Sequence, residues 1–217
     1  MSLPHIERPD LPEYMTWEEL ERLPEEVAEQ IELWNGRVVW VRRGPSEHQT
    51  FTRRMTNEIE RCARKAMSEQ PQRCWRVESE TNVFFGRNGK SDFVTPDFMV
   101  YRCPELPYQE VRAADVLLVG EVLSPSNTQI DVEAKKGRYA GANIPWYWEV
   151  GLDRDSSAIA TVRAYALEIE QGYLVEGVRP LRPVNYILAA EWSRDDVAGI
   201  EFEYPLPIRV SWSDLEF

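Results

Sequence analysis

The longest regular pattern of hydrophobic positions runs through residues 46–69 and predicts an amphipathic helix. Apolar residues recur there at steps of three or four, which places them on one helical face. These residues are Phe51, Met55, Ile59, Cys62 and Ala66. Ser46 precedes the pattern as a candidate N-cap, and Pro71 follows its end. We therefore expect one long helix with a buried apolar face and a largely basic outer face.

Shorter patterns predict strands on both sides of this helix. Residues 13–30 indicate a short acidic helix that begins at the Thr16–Glu19 capping box, and residues 31–41 indicate a hairpin around Asn35-Gly36. The other expected elements are strands at 73–86, 93–102 (broken at Pro96), 115–123 and 146–150, a helix at 130–142, and a second hairpin at 158–179 around Gln171-Gly172. The remaining tail, with Pro183, Pro205 and Pro207, is expected to be irregular.

This order of elements predicts an α/β (α+β) fold with a mixed sheet flanked by helices and extra hairpins at both ends. The length of 217 residues fits a single domain spanning 1–217. Within it we expect a core at about 31–150, an acidic N-terminal helix within 1–30, and a C-terminal hairpin and tail at 151–217.

Charge is distributed unevenly along the chain, whose net charge is −12. Residues 34–90 carry twelve basic and six acidic side chains, whereas the segments on either side are strongly acidic. Only this middle segment could present a surface that attracts phosphate. The basic side chains of the long helix are the candidate nucleic-acid contacts, with a merely solvated face as the alternative: Arg53, Arg54, Arg61, Arg64 and Lys65.

Compartment and cysteine chemistry follow from what the sequence lacks. No apolar run approaches the roughly 18 residues of a membrane helix, and the N-terminus lacks a secretory pattern. We therefore expect a cytoplasmic protein with no membrane partner. The three widely spaced cysteines, Cys62, Cys74 and Cys103, are expected to be reduced, mostly buried thiols, and with no C-x-x-C pair and only two histidines we do not expect a zinc site.

Two acidic residues stand where acids are unusual. Asp97 follows Pro96, whose ring favours an irregularity in the strand, although Asp is also a common turn residue. Glu121 lies inside the apolar strand 115–123, where a carboxylate is costly unless it is paired or bound to a metal. An ion pair with a structural arginine is the alternative for Glu121.

A third group lies on the following helix. Asp131, Lys135 and Tyr139 are four residues apart and so share one helical face, where a solvated Asp–Lys pair is the simplest alternative. Together with Asp97 and Glu121 they suggest a different arrangement. Two carboxylates on neighbouring strands can bind Mg²⁺ or Mn²⁺, which usually keeps several water ligands, and a nearby lysine can stabilise developing negative charge.

These motifs resemble a known family, the Uma-type restriction endonucleases of the PD-(D/E)XK nuclease superfamily. The segments that carry the resemblance lie within about residues 14–150 and include Glu32-Leu33-x-x-Gly36, Pro45-Ser46-Glu47-His48, Pro96-Asp97, Glu121-Val122-Leu123-Ser124-Pro125-Ser126, Asp131 with Lys135 and Tyr139, and Pro145-Trp146-Tyr147-Trp148. The resemblance implies a restriction-endonuclease-like core with Asp97 and Glu121 as metal ligands. The superfamily's usual lysine position is Leu123 here, so the resemblance assigns the catalytic lysine to Lys135.

Four further residues are accessory candidates. Glu32 is a candidate outer acid near the metal, or a hairpin acid paired with an arginine. His48 is a candidate to orient water or phosphate, or a residue that packs locally at the start of its helix. Asp131 and Tyr139 share the face of Lys135.

The leading hypothesis from the sequence is a Mg²⁺- or Mn²⁺-dependent endonuclease that hydrolyses DNA with an activated water. The alternative is a catalytically inactive protein of the same fold that acts as an interaction or regulatory module, which the acidic ends and Leu123 favour. A different metal-dependent hydrolase is a third option. Pairing into a homodimer is also expected to be feasible, because enzymes that cut both DNA strands often use two-fold symmetry.

Overall fold

The structure is a computed structural model that describes residues 10–41, 44–86, 88–124, 127–153, 155, 157–168, 184–195 and 199–216. The first half of the chain contains α1 (Trp17–Leu20), α2 (Glu25–Ala28), β1 (Ile31–Trp34), β2 (Arg37–Trp40), α3 (Ser46–Glu69), β3 (Trp75–Ser79), β4 (Val83–Phe84), β5 (Phe93–Val94) and β6 (Phe98–Arg102). The second half contains β7 (Val111–Arg112), β8 (Val116–Leu123), α4 (Gln129–Gly141), β9 (Trp146–Leu152), β10 (Ile159–Glu168), β11 (Asn185–Ser193), β12 (Ile200–Phe202), β13 (Ile208–Val210) and α5 (Trp212–Leu215).

A six-stranded mixed sheet in the order β11-β10-β9-β8-β6-β3 forms the centre of the fold. Only the β8–β9 pair among these is parallel, and α4 supplies the crossover that a parallel pair requires. Helix α3 packs on one face, where Met55 and Ile59 belong to the same apolar cluster as strand residues such as Val122. Tyr139 of α4 packs with Val119 on the other face. The predicted mixed sheet flanked by helices is therefore confirmed.

A five-stranded sheet in the order β2-β1-β5-β4-β7 lies beside the central sheet. The chain passes from one sheet to the other at two breaks. The predicted strand 73–86 divides into β3 and β4, and the predicted strand 93–102 divides into β5 and β6 around Pro96. Because proline has no N–H for a ladder hydrogen bond, it suits the point where the chain leaves one sheet for the other. This break places Asp97 at the junction of the sheets.

The N-terminal elements follow their local signals. Thr16 and Glu19 form the predicted capping box, although residues 13–30 contain two four-residue helices instead of one. The hairpin β1–β2 turns at Asn35 and Gly36, which adopt positive φ angles of 53° and 80°. Helix α3 has the predicted bounds, but Pro45 occupies the N-cap position and Ser46 is the first helical residue. The hairpin brings β1 alongside β5, and so brings Glu32 near the junction.

The prediction of three reduced thiols is wrong, because Cys74 and Cys103 form a disulfide whose Cα atoms are 5.4 Å apart. Antiparallel pairing of β3 with β6 sets Trp75 opposite Arg102, so the cysteines just outside that pair face each other. They are 29 positions apart in the sequence, and only the strand register reveals their proximity. Cys62 is free and buried, as predicted.

The C-terminal region is more regular than its sequence suggested. β10 pairs with β11, so the partner strand is Asn185–Ser193. The predicted turn at Gln171-Gly172 and the predicted second arm lie outside the described residues. The tail was predicted to be irregular, but it forms the β12–β13 hairpin and α5, which pack against α3. The prolines of the tail argued against strands there, because proline is usually excluded from strand interiors.

Candidate active site

Asp97 lies at the start of β6, just after the break between the sheets. Its Oδ2 accepts a hydrogen bond of 2.6 Å from the backbone N–H of Val122 on β8. The same oxygen lies 3.0 Å from Nε2 of His48, in the first turn of α3. The β6–β8 ladder runs only as far as the Phe98–Gly120 pair, so the side chain of Asp97 takes over as the partner of the β8 backbone.

Gly120 allows β6 and β8 to approach closely. A Cβ atom at this position would lie 1.9 Å from Cζ of Phe98, so the aromatic ring occupies the space of the missing side chain. Successive residues of a strand point to opposite faces of the sheet, and Glu121 follows Gly120 on β8. Glu121 therefore points to the opposite face from Phe98, towards α4.

Glu121 is 8% exposed and receives two partners from α4. The hydroxyl of Tyr139 donates to Oε1 at 2.5 Å, and Nζ of Lys135 lies 2.9 Å from Oε1 and 3.0 Å from Oε2. The spacing of four residues thus brings both side chains to one carboxylate. Asp131, the third member of that series, instead accepts a hydrogen bond from the hydroxyl of Thr128, which caps α4.

Lys135 is surrounded by oxygen atoms from three elements. Besides Glu121, its Nζ donates to the backbone carbonyl of Thr95 at 2.9 Å and lies 3.4 Å from Oε1 of Glu32. Glu32 is only 2% exposed and also accepts hydrogen bonds from the Thr95 N–H and from Nε1 of Trp34. The alternative of a hairpin acid paired with an arginine does not describe Glu32, since its cationic neighbour is Lys135.

His48 is 8% exposed and packs against Gly44. A Cβ on Gly44 would lie 2.3 Å from Cγ of the imidazole, so a larger residue would displace the ring. Nδ1 of His48 has no hydrogen-bond partner among the described residues. The ring is therefore oriented through Nε2 alone, towards Asp97.

The electrostatics of the site reflect several acids that share few cations. Burial raises the pKa of Glu121 to about 7, because the positive charge of Lys135 offsets this effect only in part and Asp97 adds a like charge. Burial acts to lower the pKa of His48, but the hydrogen bond and charge of Asp97, with Glu121 and Glu80, raise it overall. Burial also opposes the charge on Lys135, but the neighbouring carboxylates raise its pKa above the usual value.

Comparison with known proteins assigns the chain to a family. The sequence profile described as "Uma2: Putative restriction endonuclease" matches residues 17–188, which include all of the residues described above. The chain belongs to the Uma2 family. A solved structure described as a "putative nuclease belonging to DUF820 from Anabaena variabilis ATCC 29413" aligns with a TM-score of 0.55 and 19% identity, over 93% of this chain and 97% of that chain. No curated protein matches at a significant level.

The Uma2 match ends before β12, β13 and α5, and those elements explain part of the basic face of α3. Arg54 donates to the carbonyl of Leu215, and Arg61 donates to that of Arg209. Arg64 pairs with Glu60 on its own helix. Arg53 and Lys65 are exposed. Two of the five predicted nucleic-acid contacts therefore also hold the C-terminal segment against α3.

Among the described residues, no group of three or more His, Cys, Asp or Glu side chains is arranged to hold a metal ion. Within the same part of the chain, no helix is long and apolar enough to cross a membrane.

Glu149, a buried acid beside Glu121, was not singled out in the sequence analysis. Glu149 on β9 lies opposite Glu121 in the parallel ladder, and Lys136 and Tyr165 bind its two oxygens. The signal was available, because Glu149, like Glu121, interrupts an apolar strand.

Proposed function

We propose that this Uma2-family protein is an endonuclease that hydrolyses DNA phosphodiester bonds with Mg²⁺ or Mn²⁺ bound by Asp97 and Glu121. The observation that carries the proposal is the position of Lys135. Its ammonium lies between the carboxylates of Glu121 and Glu32, although it comes from a helix and not from the strand. A lysine beside a pair of acids is the arrangement expected for metal-assisted phosphodiester hydrolysis.

The donor set fits a divalent cation of this kind. Asp97 and Glu121 would supply two carboxylates, and Lys135 and His48 are basic groups in contact with one or the other of them. Burial raises the pKa of Glu121 to about 7, and a bound divalent cation would favour the ionised form of this carboxylate. Mg²⁺ usually takes one or two protein carboxylates and completes its coordination with water and phosphate. When bound, it would polarise the phosphodiester and lower the pKa of a water molecule.

The protein's own side chains have distinct roles in this proposal. Lys135 stabilises the negative charge that develops on the phosphate, because its ammonium is already oriented by three oxygen acceptors. Tyr139 fixes the orientation of Glu121, and His48 fixes that of Asp97. Glu32 keeps Lys135 charged and in place from the side opposite Glu121.

The basic middle segment supports DNA as the substrate class. Helix α3 begins at the site with His48 and continues across the opposite face of the central sheet from α4. Its exposed basic residues Arg53, Arg64 and Lys65 can contact backbone phosphates without disturbing the C-terminal segment. We propose that these three side chains contribute most of the phosphate contacts of α3.

Cleavage of plasmid DNA, and of an RNA of matched sequence, tests the proposal. The wild-type protein should cut DNA with Mg²⁺ or Mn²⁺ and not with EDTA. Asp97→Asn, Glu121→Gln and Lys135→Met should each reduce the rate by at least about 100-fold, a typical loss when a group that stabilises the transition state is removed. Glu191→Gln is the matched control, since Glu191 pairs with Arg163 on the exposed edge of the sheet. Equal rates for all these variants would contradict the mechanism.

A catalytically inactive interaction module is the second candidate. The observation that favours it is that Lys135 and Tyr139 already engage both oxygens of Glu121. A site stabilised internally in this way needs no cation. Calorimetric titration with Mn²⁺ separates the two functions: binding at millimolar metal that is lost in Asp97→Asn supports the nuclease, and no binding supports the module.

A further inference from the structure

Glu149 is the acid of a second group of buried polar side chains, directly beside Glu121. The parallel register of β8 and β9 sets the two glutamates opposite each other, so both side chains point to the α4 face. Glu149 is 7% exposed. Its Oε1 accepts from Nζ of Lys136 at 3.1 Å, and its Oε2 accepts from the hydroxyl of Tyr165 at 2.8 Å. The proposed chemistry uses none of these three residues.

Lys136 follows Lys135 directly along α4. Successive residues of a helix are separated by about 100° around its axis, so the two side chains diverge as they approach the sheet. Lys135 reaches Glu121 on β8, whereas Lys136 reaches Glu149 on β9. Nζ of Lys136 also lies 3.4 Å from the ring centroid of Tyr165 on β10. The two ammonium groups therefore attach α4 to the sheet on both sides of the helix axis.

Two other polar side chains of α4 act on the first side. Tyr139 donates to Glu121 on β8, and Arg138 pairs with Asp92, near the start of β5. Lys136 is thus the side chain that opposes them from the β9 side. Without its partner Glu149, the Lys136 ammonium would be a partly buried charge with no carboxylate, which is costly. It would turn towards solvent or towards Glu121, and α4 would lose this ion pair on the β9 side.

We propose that Glu149 is a positioning residue which, through Lys136, holds α4 at the rotation that keeps Lys135 on Glu121. The inference rests on the proposed function of Lys135 and extends it to a residue that does not touch the substrate. Displacements of about 1 Å in a catalytic group can reduce a rate by up to roughly 100-fold. Glu149 therefore affects the rate of the chemical step and leaves DNA binding unchanged.

Lysine NMR gives a test that does not depend on activity. The chain contains four lysines, Lys65, Lys90, Lys135 and Lys136, so the ammonium signals can be assigned with Lys135→Arg and Lys136→Arg. Glu149→Gln should shift or broaden the Lys135 signal, whereas the control Glu191→Gln should leave it unchanged. Tyr165→Phe keeps the charge of Glu149 and removes one of its hydrogen bonds, so it should produce a smaller shift even if Glu149→Gln folds poorly.

Steady-state kinetics test the effect on the chemical step. Glu149→Gln should lower kcat about tenfold with KM for DNA unchanged. Lys136→Gln and the double variant should show the same loss as Glu149→Gln, because residues that act as one unit are not additive. Additive losses, or a rise in KM with kcat unchanged, would contradict a role through Lys136.

The two tests separate this inference from the proposed nuclease function. A wild-type protein that cleaves no nucleic acid, but whose Lys135 signal responds to Glu149→Gln, would contradict the nuclease and support the positioning contact. An active nuclease in which Glu149→Gln retains both its kcat and the wild-type Lys135 signal would overturn the positioning role alone.

Discussion

At the scale of single residues, the site depends on one ammonium group delivered from an unusual direction. Leu123 occupies the strand position two residues after Glu121, where the PD-(D/E)XK nucleases that this sequence resembles usually have lysine. Lys135 reaches the same carboxylate from α4. The sequence could suggest this replacement through the family resemblance, together with the helical face that Lys135 shares with Tyr139, but the contacts with Glu32 and Thr95 depend on the neighbouring sheet. Such contacts between distant segments leave no local pattern.

Gly120 provides a prediction at this scale. Gly120→Ala should lower the free energy of unfolding by about 1–3 kcal/mol or more, because the added Cβ would overlap the ring of Phe98. Chemical denaturation measures the change. Gly141→Ala, at the end of α4, is the matched control, since a Cβ there meets nothing within 4 Å. Equal stabilities of the two variants would show that the β6–β8 contact can relax.

At the scale of elements, the sequence predicted the helices and turns that depend on local patterns. It did not predict the elements whose position depends on pairing with a distant strand. The apolar period of α3 and the Asn-Gly turn of β1–β2 are local signals, and both are confirmed. Neither the division of 73–86 between two sheets nor the β12–β13 hairpin has such a signal. Glu149 had a local signal as an acid in an apolar strand, but its register with Glu121 on another strand had none.

The disulfide between Cys74 and Cys103 gives a prediction for β3, the edge strand of the central sheet. Chain-entropy arguments assign about 3–4 kcal/mol of stability to a cross-link that closes a loop of this length. The double variant Cys74→Ser/Cys103→Ser should therefore unfold at a lower denaturant concentration than the oxidised wild type. Dithiothreitol should lower the wild-type midpoint and leave that of the double variant unchanged. A wild-type midpoint insensitive to dithiothreitol would contradict the cross-link.

At the scale of the whole molecule, the acidic ends and the basic middle segment must both be compatible with the DNA binding that we propose. The net charge of −12 repels a polyanion at long range. Binding must therefore depend on a local basic surface, and the exposed residues of α3 are the described candidates for it. Since Arg54 and Arg61 donate to the C-terminal segment, that surface is smaller than the five residues that the sequence suggested.

The salt dependence of DNA binding tests this local surface. A side chain that contacts one phosphate contributes about one counterion, so Arg53→Gln should weaken binding at every sequence and reduce the slope of log Kd against log salt by about one. Arg163→Gln is the control, because this exposed arginine pairs with Glu191 on the distant β10–β11 edge. Fluorescence anisotropy with a short duplex, in Ca²⁺ or EDTA to prevent cleavage, measures both slopes. Equal slopes for the two variants would contradict a phosphate contact at Arg53. The loss of one positive charge would then have the same effect at both positions, as expected for a long-range effect of net charge.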